Sequence, residues 1–374
     1  SGGYDSSLIC ALMQEQRDNP VNTFTIGFDD PRYNEAEHAK NVAAHLGTNH
    51  TELYVNEQDM LASVARLPQL CDEPFADPSI LPTFLVSQLA SKDVTVVLSG
   101  DGGDELFWGY PRYAVADKLW NKIKRVPGPL RSTFSDLLVH PLTQTMSRRI
   151  PGGALGGREA PLSQKLRTAA ELLGNDGHRM LYEGLMSHWR PPADACIEDK
   201  ELLTPYNDAA HWTLTLPSTQ RMALQDTVAY LPDDILTTVD RASMAVSLEA
   251  RVPLLDHRVV EFVSHLPGHL RQRPDRPKYL LKKILNQYVP TDLTDRPKMG
   301  FGAPLETWLR GPLREWANHL LDPRRMAEEG LLNPEPVSRL WQDHLTGKAN
   351  NAARLWDVMM LEAWLEQAGT RYNG

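Results

Sequence analysis

A chain of 374 residues that is 41% hydrophobic and 23% charged is large enough for one big domain or two ordinary ones with a substantial core. No run of about 18 apolar residues occurs, which excludes a membrane-spanning helix. A net charge of -9 argues against a protein built to grip a phosphate backbone, so no nucleic-acid partner is expected and a small-molecule enzyme is the better starting point. Cys10, Cys71 and Cys196 lie far apart and in no CxxC pair; three buried thiols in a reducing, cytoplasmic setting are expected rather than disulfides or a zinc site.

The first third alternates strand and helix patterns. Thr23 to Phe28 is a short β-rich run that ends in Asp29-Asp30-Pro31, a breaker. From Asn34 to Leu46, Ala36, Ala39, Ala43 and Leu46 share a helical face, and Gly47 stops it. Thr51 to Val55 reads as a second strand, and Glu57 to Leu70 as another helix. Val94 to Leu98 is continuously apolar and β-branched, which predicts a strand buried on both faces. Such alternation predicts an α/β fold with a doubly wound, mostly parallel sheet. Residues 120 to 175 carry Pro, Gly and Arg clusters with little strand signal. The remainder reads as mostly helical, with segments at Ala223–Tyr230, Tyr279–Tyr288 and Trp356–Ala368. The predicted division is an α/β nucleotide-binding core over 1–115 and a mainly helical part over 116–369.

Two loops stand out. Ser1-Gly2-Gly3-Tyr4-Asp5-Ser6-Ser7 precedes an apolar helix start: the glycines let the backbone approach an anion, the hydroxyls add donors, and the helix end adds N–H groups and its positive dipole. It suits a pyrophosphate but lacks the Gly-Lys-Ser/Thr ending of a Walker loop. Asp5 would repel phosphates unless a cation stood between them, which predicts Mg2+. The second loop, Leu98 to Phe107, holds Gly100, Gly102, Gly103, Asp101, Asp104 and Glu105 directly after the predicted buried strand. At the carboxyl end of a doubly wound sheet, both loops face one crevice.

These residues resemble the PP-loop ATP pyrophosphatase superfamily and, within it, the glutamine-hydrolysing asparagine synthetases. The resemblance covers nearly the whole chain. SGGYDSS looks like the family's first motif and LSGDGGDELFWGYPRY its second. Tyr230 to Leu236 followed by VDRASMAVSLEARVPLLDHRVVEF looks like its third. KYLLK (278–282) and RPKMGF (296–301) follow in the family's order. The resemblance implies that ATP is cleaved between its α- and β-phosphates, giving an acyl-adenylate and pyrophosphate. Ser1, Gly2, Gly3, Asp5, Ser6 and Ser7 would hold the pyrophosphate, and Ile26 would contact adenine through its backbone. Ser99 and Gly100 would lie against the nucleotide, and Asp5 and Asp104 would bind Mg2+. Lys298 would stabilise charge on the leaving group, and Glu105 or Asp101 would orient or deprotonate ammonia. Asp101 stands where some relatives have Glu, and Trp108 where Gly is common.

Glu249, Arg251 and Asp256 are expected to form ion pairs that lock the helical part onto the sheet, and Asp240 and Arg241 are weighed as pocket residues. The implied substrates are ATP, L-aspartate and ammonia from glutamine. A sugar carboxylate or another acid from cell-surface polysaccharide assembly is the alternative acceptor. Because the chain opens on Ser1, inside a motif, a glutaminase domain and a leading strand are expected ahead of it. A homodimer is compatible with the resemblance. A tRNA-modifying relative would need a basic surface or extra cysteine chemistry, and a Ser1 hydrolase would leave Asp104 and Lys298 without a purpose. A non-catalytic partner would not need Asp5, Asp104 and Lys298.

Overall fold

The computed structural model describes residues 2–28, 34–139, 173, 177–189, 195–198, 203–205, 207–208, 212, 216–273, 276–295 and 303–369. The chain falls into two units. The first comprises Ser1–Tyr110, Ala223–Pro304 and Ala363–Gly369; the second comprises Pro111–Met222, Leu305–Glu362 and Thr370–Gly374. The first unit is therefore not confined to residues 1–115, since it takes back the third motif and the KYLLK segment.

The first unit opens with α1 (Tyr4–Glu15), β1 (Asn22–Phe28), α2 (Ala36–Leu46) and β2 (Asn49–Val55). Gly47 ends α2 in the left-handed conformation, where a Cβ would be penalised. The turn brings β2 parallel to β1, with Asn22 opposite Asn49 and Phe28 opposite Val55. Next come α3 (Glu57–Val64), α4 (Ile80–Ala90), β3 (Val96–Leu98) and α5 (Gly103–Leu106). Helix α3 starts where the Asn56 side chain accepts a hydrogen bond from the Asp59 N–H. It stops at Val64, short of the predicted Leu70, because Leu67-Pro68-Gln69 turns into a 3-10 segment. Helix α4 packs on β1, with Ile80, Leu81 and Phe84 almost wholly buried.

After residue 222 a π-helix (Asp226–Leu236) carries Pro232 inside it, then α6 (Thr237–Met244), β4 (Glu249–Arg251), α7 (His257–Ser264), α8 (Gly268–Arg271), α9 (Tyr279–Leu285) and α10 (Thr291–Thr294) follow. The predicted helix Ala223–Tyr230 thus changes winding at Asp226.

Among the described residues the strands form two separate two-stranded parallel sheets, β1–β2 and β3–β4, and not one continuous sheet. Strand β3 was expected to be buried on both faces. It pairs only with β4, and Val96 and Leu98 are 39% and 37% exposed. Strand β4 was missed because its Glu-Ala-Arg sequence has no apolar alternation. The ion pairs expected of that stretch are local. Arg251 pairs with Glu249 two residues away on the same strand. Asp256 caps α7 by accepting from the Arg258 N–H and pairs with the Arg258 side chain. Of the cysteines, only Cys71 is buried, Cys10 is intermediate, and Cys196, expected to be buried, is exposed.

A single cluster joins both loop regions of the first unit. Leu8, Ile9 and Ala11 of α1 and Leu106 and Phe107 after the second loop pack with Leu254, Val263, Leu281, Leu285 and Val289. Burying each large side chain contributes roughly 1.5–3 kcal/mol, so the loops are pinned by the same core.

The regular elements described for the second unit are helices, beside an isolated antiparallel bridge between Cys196 and Leu332. Asp322-Pro323 and Asn333-Pro334 start helices at 323–329 and 334–345. The Asp or Asn side chain accepts from first-turn N–H groups, while Pro occupies a position that needs no donor. Trp308, Leu309, Leu320, Met326, Val337, Trp341, Trp356 and Met359 fill its core. His344 is wholly buried there, its ring stacked on Trp341. Its Nδ1 accepts from the Asn351 N–H at 3.2 Å, so the neutral ring carries its proton on Nε2. Burial, and then the nearby Arg310, lower the His344 pKa. The unfolded chain, with the ring at 6.5, therefore binds the extra proton, and His344 costs stability as pH falls below about 6.5. Thermal melts between neutral and mildly acid pH should show a steeper loss for the wild type than for His344→Gln. Equal slopes would contradict this.

Candidate functional site

The site lies within the first unit. The start of α1 has no side-chain cap; Gly3 is the N-cap in extended conformation, and its carbonyl accepts from the Ser7 N–H at 3.0 Å. The turn thereby leaves Asp5, Ser6 and Ser7 at the helix mouth. The second loop returns to the same place. A Cβ on Gly100 would lie 2.6 Å from the Ser6 nitrogen, and one on Gly103 would lie 2.6 Å from the Asp5 carboxylate. Only glycine permits either approach, so the two loops expected to face one crevice do meet.

Between them stands a residue that the sequence reading left without a role. Lys278 contacts Asp5 through its Nζ and lies 2.9 Å from Asp104 Oδ1. All three side chains are largely buried, Lys278 at 7% exposure. Burial alone would push the Lys278 pKa down, but the Asp5 and Asp104 carboxylates outweigh it and the net shift is upward, so the ammonium stays charged. The backbone of Lys278 is left-handed (φ 54°) at the N-cap of α9, and its N–H donates to the Phe107 carbonyl at 3.2 Å. One signal for it was in the sequence: two aspartates in anion-binding loops need positive charge close by, and KYLLK offers a lysine at a helix start.

Glu105 and Asp101, the two candidates for handling ammonia, differ sharply. Glu105 is 2% exposed and accepts from the Tyr110 hydroxyl at 2.6 Å. Burial raises its pKa to about 7, outweighing the bond from Tyr110, which lowers it, and Asp104 and Asp226 add smaller upward pushes. Asp226, at the start of the π-helix, is itself wholly buried, and Tyr230 of that helix meets Tyr110 edge-on at 5.9 Å. π-Helical turns are uncommon and recur at functional sites. Asp226, Tyr110 and Tyr230 therefore join the candidate region, and period-based reading had no means of finding them. Asp101 is only half-buried.

Ser7 and Ser99, both expected to touch nucleotide, have buried hydroxyls that find no hydrogen-bond partner among the described residues. Buried polar groups are nearly always satisfied, so these two suit a bound oxygen-rich molecule. The Ser99 N–H continues the β3–β4 ladder by donating to the Arg251 carbonyl at 2.9 Å. The side chain of Ile26 is 2% exposed and belongs to the core, which leaves only its backbone for a ligand. Gly2 is at φ 65°, pressed against the backbone of α2. Arg241 pairs with Asp240 and with Asp72 of the loop before α4. Ser1 and Lys298 lie outside the described residues.

Trp108, where glycine was expected, is also left-handed (φ 55°), at a cost of about 1–2 kcal/mol for a residue with a Cβ. The indole offsets it by being 92% buried against Gly268, with the Arg271 guanidinium 5.1 Å from its ring. It follows Phe107 directly, so this stack fixes the carbonyl that receives Lys278.

The two carboxylates, the buried serine hydroxyls and the glycine approaches fit a nucleotide triphosphate with Mg2+ as their donor chemistry requires. No group of three or more His, Cys, Asp or Glu side chains with metal-holding geometry occurs among the described residues, so phosphate oxygens and water would complete the coordination.

Comparison with known proteins shows the family. The family described as Asparagine synthase matches residues 1–366. The chain is 29% identical over 369 residues to Asparagine synthetase [glutamine-hydrolyzing] 1 of Bacillus subtilis, covering 97% of this chain and 55% of that protein. It is 32% identical over 375 residues to a Putative asparagine synthetase [glutamine-hydrolyzing] of Mycobacterium bovis, covering 97% and 53%. It is 22% identical over 370 residues to Amidase chyE of Penicillium rubens, covering 89% and 53%. The chain thus spans about half the length of these relatives. With its family match running almost end to end and its two loops meeting at one ion cluster, the chain belongs to the asparagine synthase family.

Proposed function

We propose that this chain is the ATP-consuming synthetase part of an asparagine-synthetase-type enzyme. The observation that carries the reading is the sharing of one buried cation by Asp5 and Asp104, which come from two distant glycine-rich loops. Two carboxylates buried beside an anion-binding helix start would repel phosphate on their own, which supports a site where cations and phosphates assemble together.

In this reading the side-chain carboxylate of L-aspartate attacks the α-phosphorus of ATP. The bond to the β-phosphate breaks, and its electron pair leaves with pyrophosphate. Ser6, Ser7, the backbone of residues 1–3 and the start of α1 hold the departing group. Asp5 and Asp104 would hold Mg2+, which when bound neutralises charge on the phosphate oxygens. Ile26 presents backbone to adenine, and Ser99 and Gly100 lie along the nucleotide. Lys298 is proposed on the resemblance alone as a second cation near the pyrophosphate.

Ammonia then attacks the acyl carbon of the aspartyl-adenylate, loses a proton and expels AMP, leaving asparagine. Of the two acids named for this step, Asp101 is the better placed, because it is half-buried on the loop. Glu105 is buried and already engaged by the Tyr110 hydroxyl. We assign Glu105 the task of holding the loop and Asp101 that of meeting ammonia. The glutamine-hydrolyzing names of the relatives support glutamine as the ammonia source; a glutaminase domain and a cytoplasmic setting are proposed on the resemblance alone. The two parallel sheets are proposed as pieces of one doubly wound sheet, since a loop of the site follows the carboxyl end of β3. The extent of the domain is proposed as 1–369. An acceptor other than aspartate, such as a sugar carboxylate, keeps the same chemistry, and a relative named as an amidase favours keeping it in view.

L-Aspartate should drive exchange of labelled pyrophosphate into ATP. Exchange with a uronic acid and none with aspartate would move the proposal to the alternative acceptor. Asp5→Asn should lower exchange by about 10²-fold or more, the scale of removing one preorganised electrostatic contact; an unaltered rate would overturn the site. Gly103→Ala should lower it at least about tenfold, because the added methyl group strikes the Asp5 carboxylate. A fully active variant would show that the close approach has no role.

A further inference from the structure

We propose that Lys278 is a built-in placeholder for the divalent ion: its ammonium and the metal compete for one seat between Asp5 and Asp104, so that metal enters tightly only together with nucleotide. The proposal rests on the ATP-cleaving reading above and deepens it.

The geometry is that of an occupied cation seat. The Lys278 Nζ touches Asp5 Oδ2 and stands 2.9 Å from Asp104 Oδ1. An ion bridging the same two carboxylates would have to share that space with a like charge in a place sheltered from water, where repulsion is weakly screened. Metal and ammonium therefore exclude each other. The wall opposite allows no sideways accommodation: a Cβ on Gly109 would strike both Lys278 Cε and Asp104 Oδ1, so the lysine stem runs through a notch that only glycine leaves open.

The backbone of Lys278, by contrast, is fixed. It is left-handed, caps α9 and donates its N–H to the Phe107 carbonyl, while Leu281 and Leu285 of α9 are held in the core. An exchange therefore moves the four-carbon stem and leaves the helix in place, which is a motion a flexible lysine side chain performs and a planar guanidinium would not.

Charge decides the order of events. With Lys278 in place, the Asp5–Asp104–Lys278 cluster is net -1. A metal arriving alone must expel a buried ammonium that then loses both partners. A metal arriving with a triphosphate brings new anionic oxygens to which the ammonium can turn, so expulsion costs little. Nucleotide and metal then favour each other's binding reciprocally, and the empty enzyme keeps its two carboxylates apart from stray divalent ions.

The test is Mn2+ binding to the purified protein, read by electron paramagnetic resonance and by thermal shift without turnover. Wild type should bind Mn2+ weakly alone and at least about tenfold more tightly with α,β-methylene-ATP. Lys278→Met should bind Mn2+ alone at least about tenfold more tightly than wild type, and its lowered melting temperature should be restored by Mn2+. Should that variant fail to fold, the same comparison is made with Lys278→Gln. Equal Mn2+ affinity of the variant and wild type without nucleotide would overturn the exchange, as would wild-type affinity indifferent to the nucleotide analogue. Asp104→Asn separates the two levels: if it leaves Mn2+–nucleotide binding intact, the ATP site itself is misplaced.

Discussion

Two aspartates, carried by loops far apart in the chain, are buried side by side and would repel each other without a positive charge between them. Lys278 supplies that charge, and much of the first unit can be understood as what is needed to bring the three together. Breaking such a buried pair by removing one partner typically costs about 3–5 kcal/mol, so the arrangement has to be held from all sides. Helix α1 delivers Asp5 and α5 delivers Asp104. Helix α9 delivers Lys278, and the cluster of Leu8, Ile9, Leu106, Phe107, Leu281 and Leu285 locks the three helices to one another. Glycines at 100 and 103 are required where the loops touch.

The same constraint orders the residues around it. Glu105, next to Asp104, is taken up by Tyr110 and lies near the buried Asp226, so the acids of the loop differ in setting, Asp101 half-buried and Glu105 buried. Trp108 accepts an unfavourable backbone conformation, and its indole buries against α8 under Arg271. This steadies the Phe107 carbonyl that anchors Lys278. A departure from the family's usual glycine thus has a physical account in its packing.

Much of this was legible in the sequence. The glycine-and-aspartate loops announce an anion and a cation, because neither residue type serves a core, and the helical face of Ala36, Ala39 and Ala43 is an ordinary amphipathic signal. Asp5 and Asp104 were matched to each other on topology, and they meet. What could not be read depends on tertiary partners. The burial of β3 was misjudged because an apolar run does not reveal how many strands lie beside it, and β4 carries no pattern at all. The π-helix over 226–236 has an apolar periodicity close to that of an α-helix, so its widened winding, and with it the placing of Asp226, is set by packing. Lys278 was visible as part of a motif. Its position between the carboxylates follows from how α9 lies against α1, which no local pattern encodes.

The central claim is that Asp5 and Asp104 form the cation seat of an ATP-cleaving site whose resting occupant is Lys278. A crystal structure with Mn2+ and α,β-methylene-ATP, with the metal located by anomalous scattering, addresses it most directly. The account predicts one Mn2+ between the two carboxylates, phosphate oxygens at the start of α1, and the Lys278 ammonium withdrawn from the aspartates onto the triphosphate. Mn2+ bound elsewhere, or Lys278 still bridging Asp5 and Asp104 beside a bound nucleotide, would contradict it.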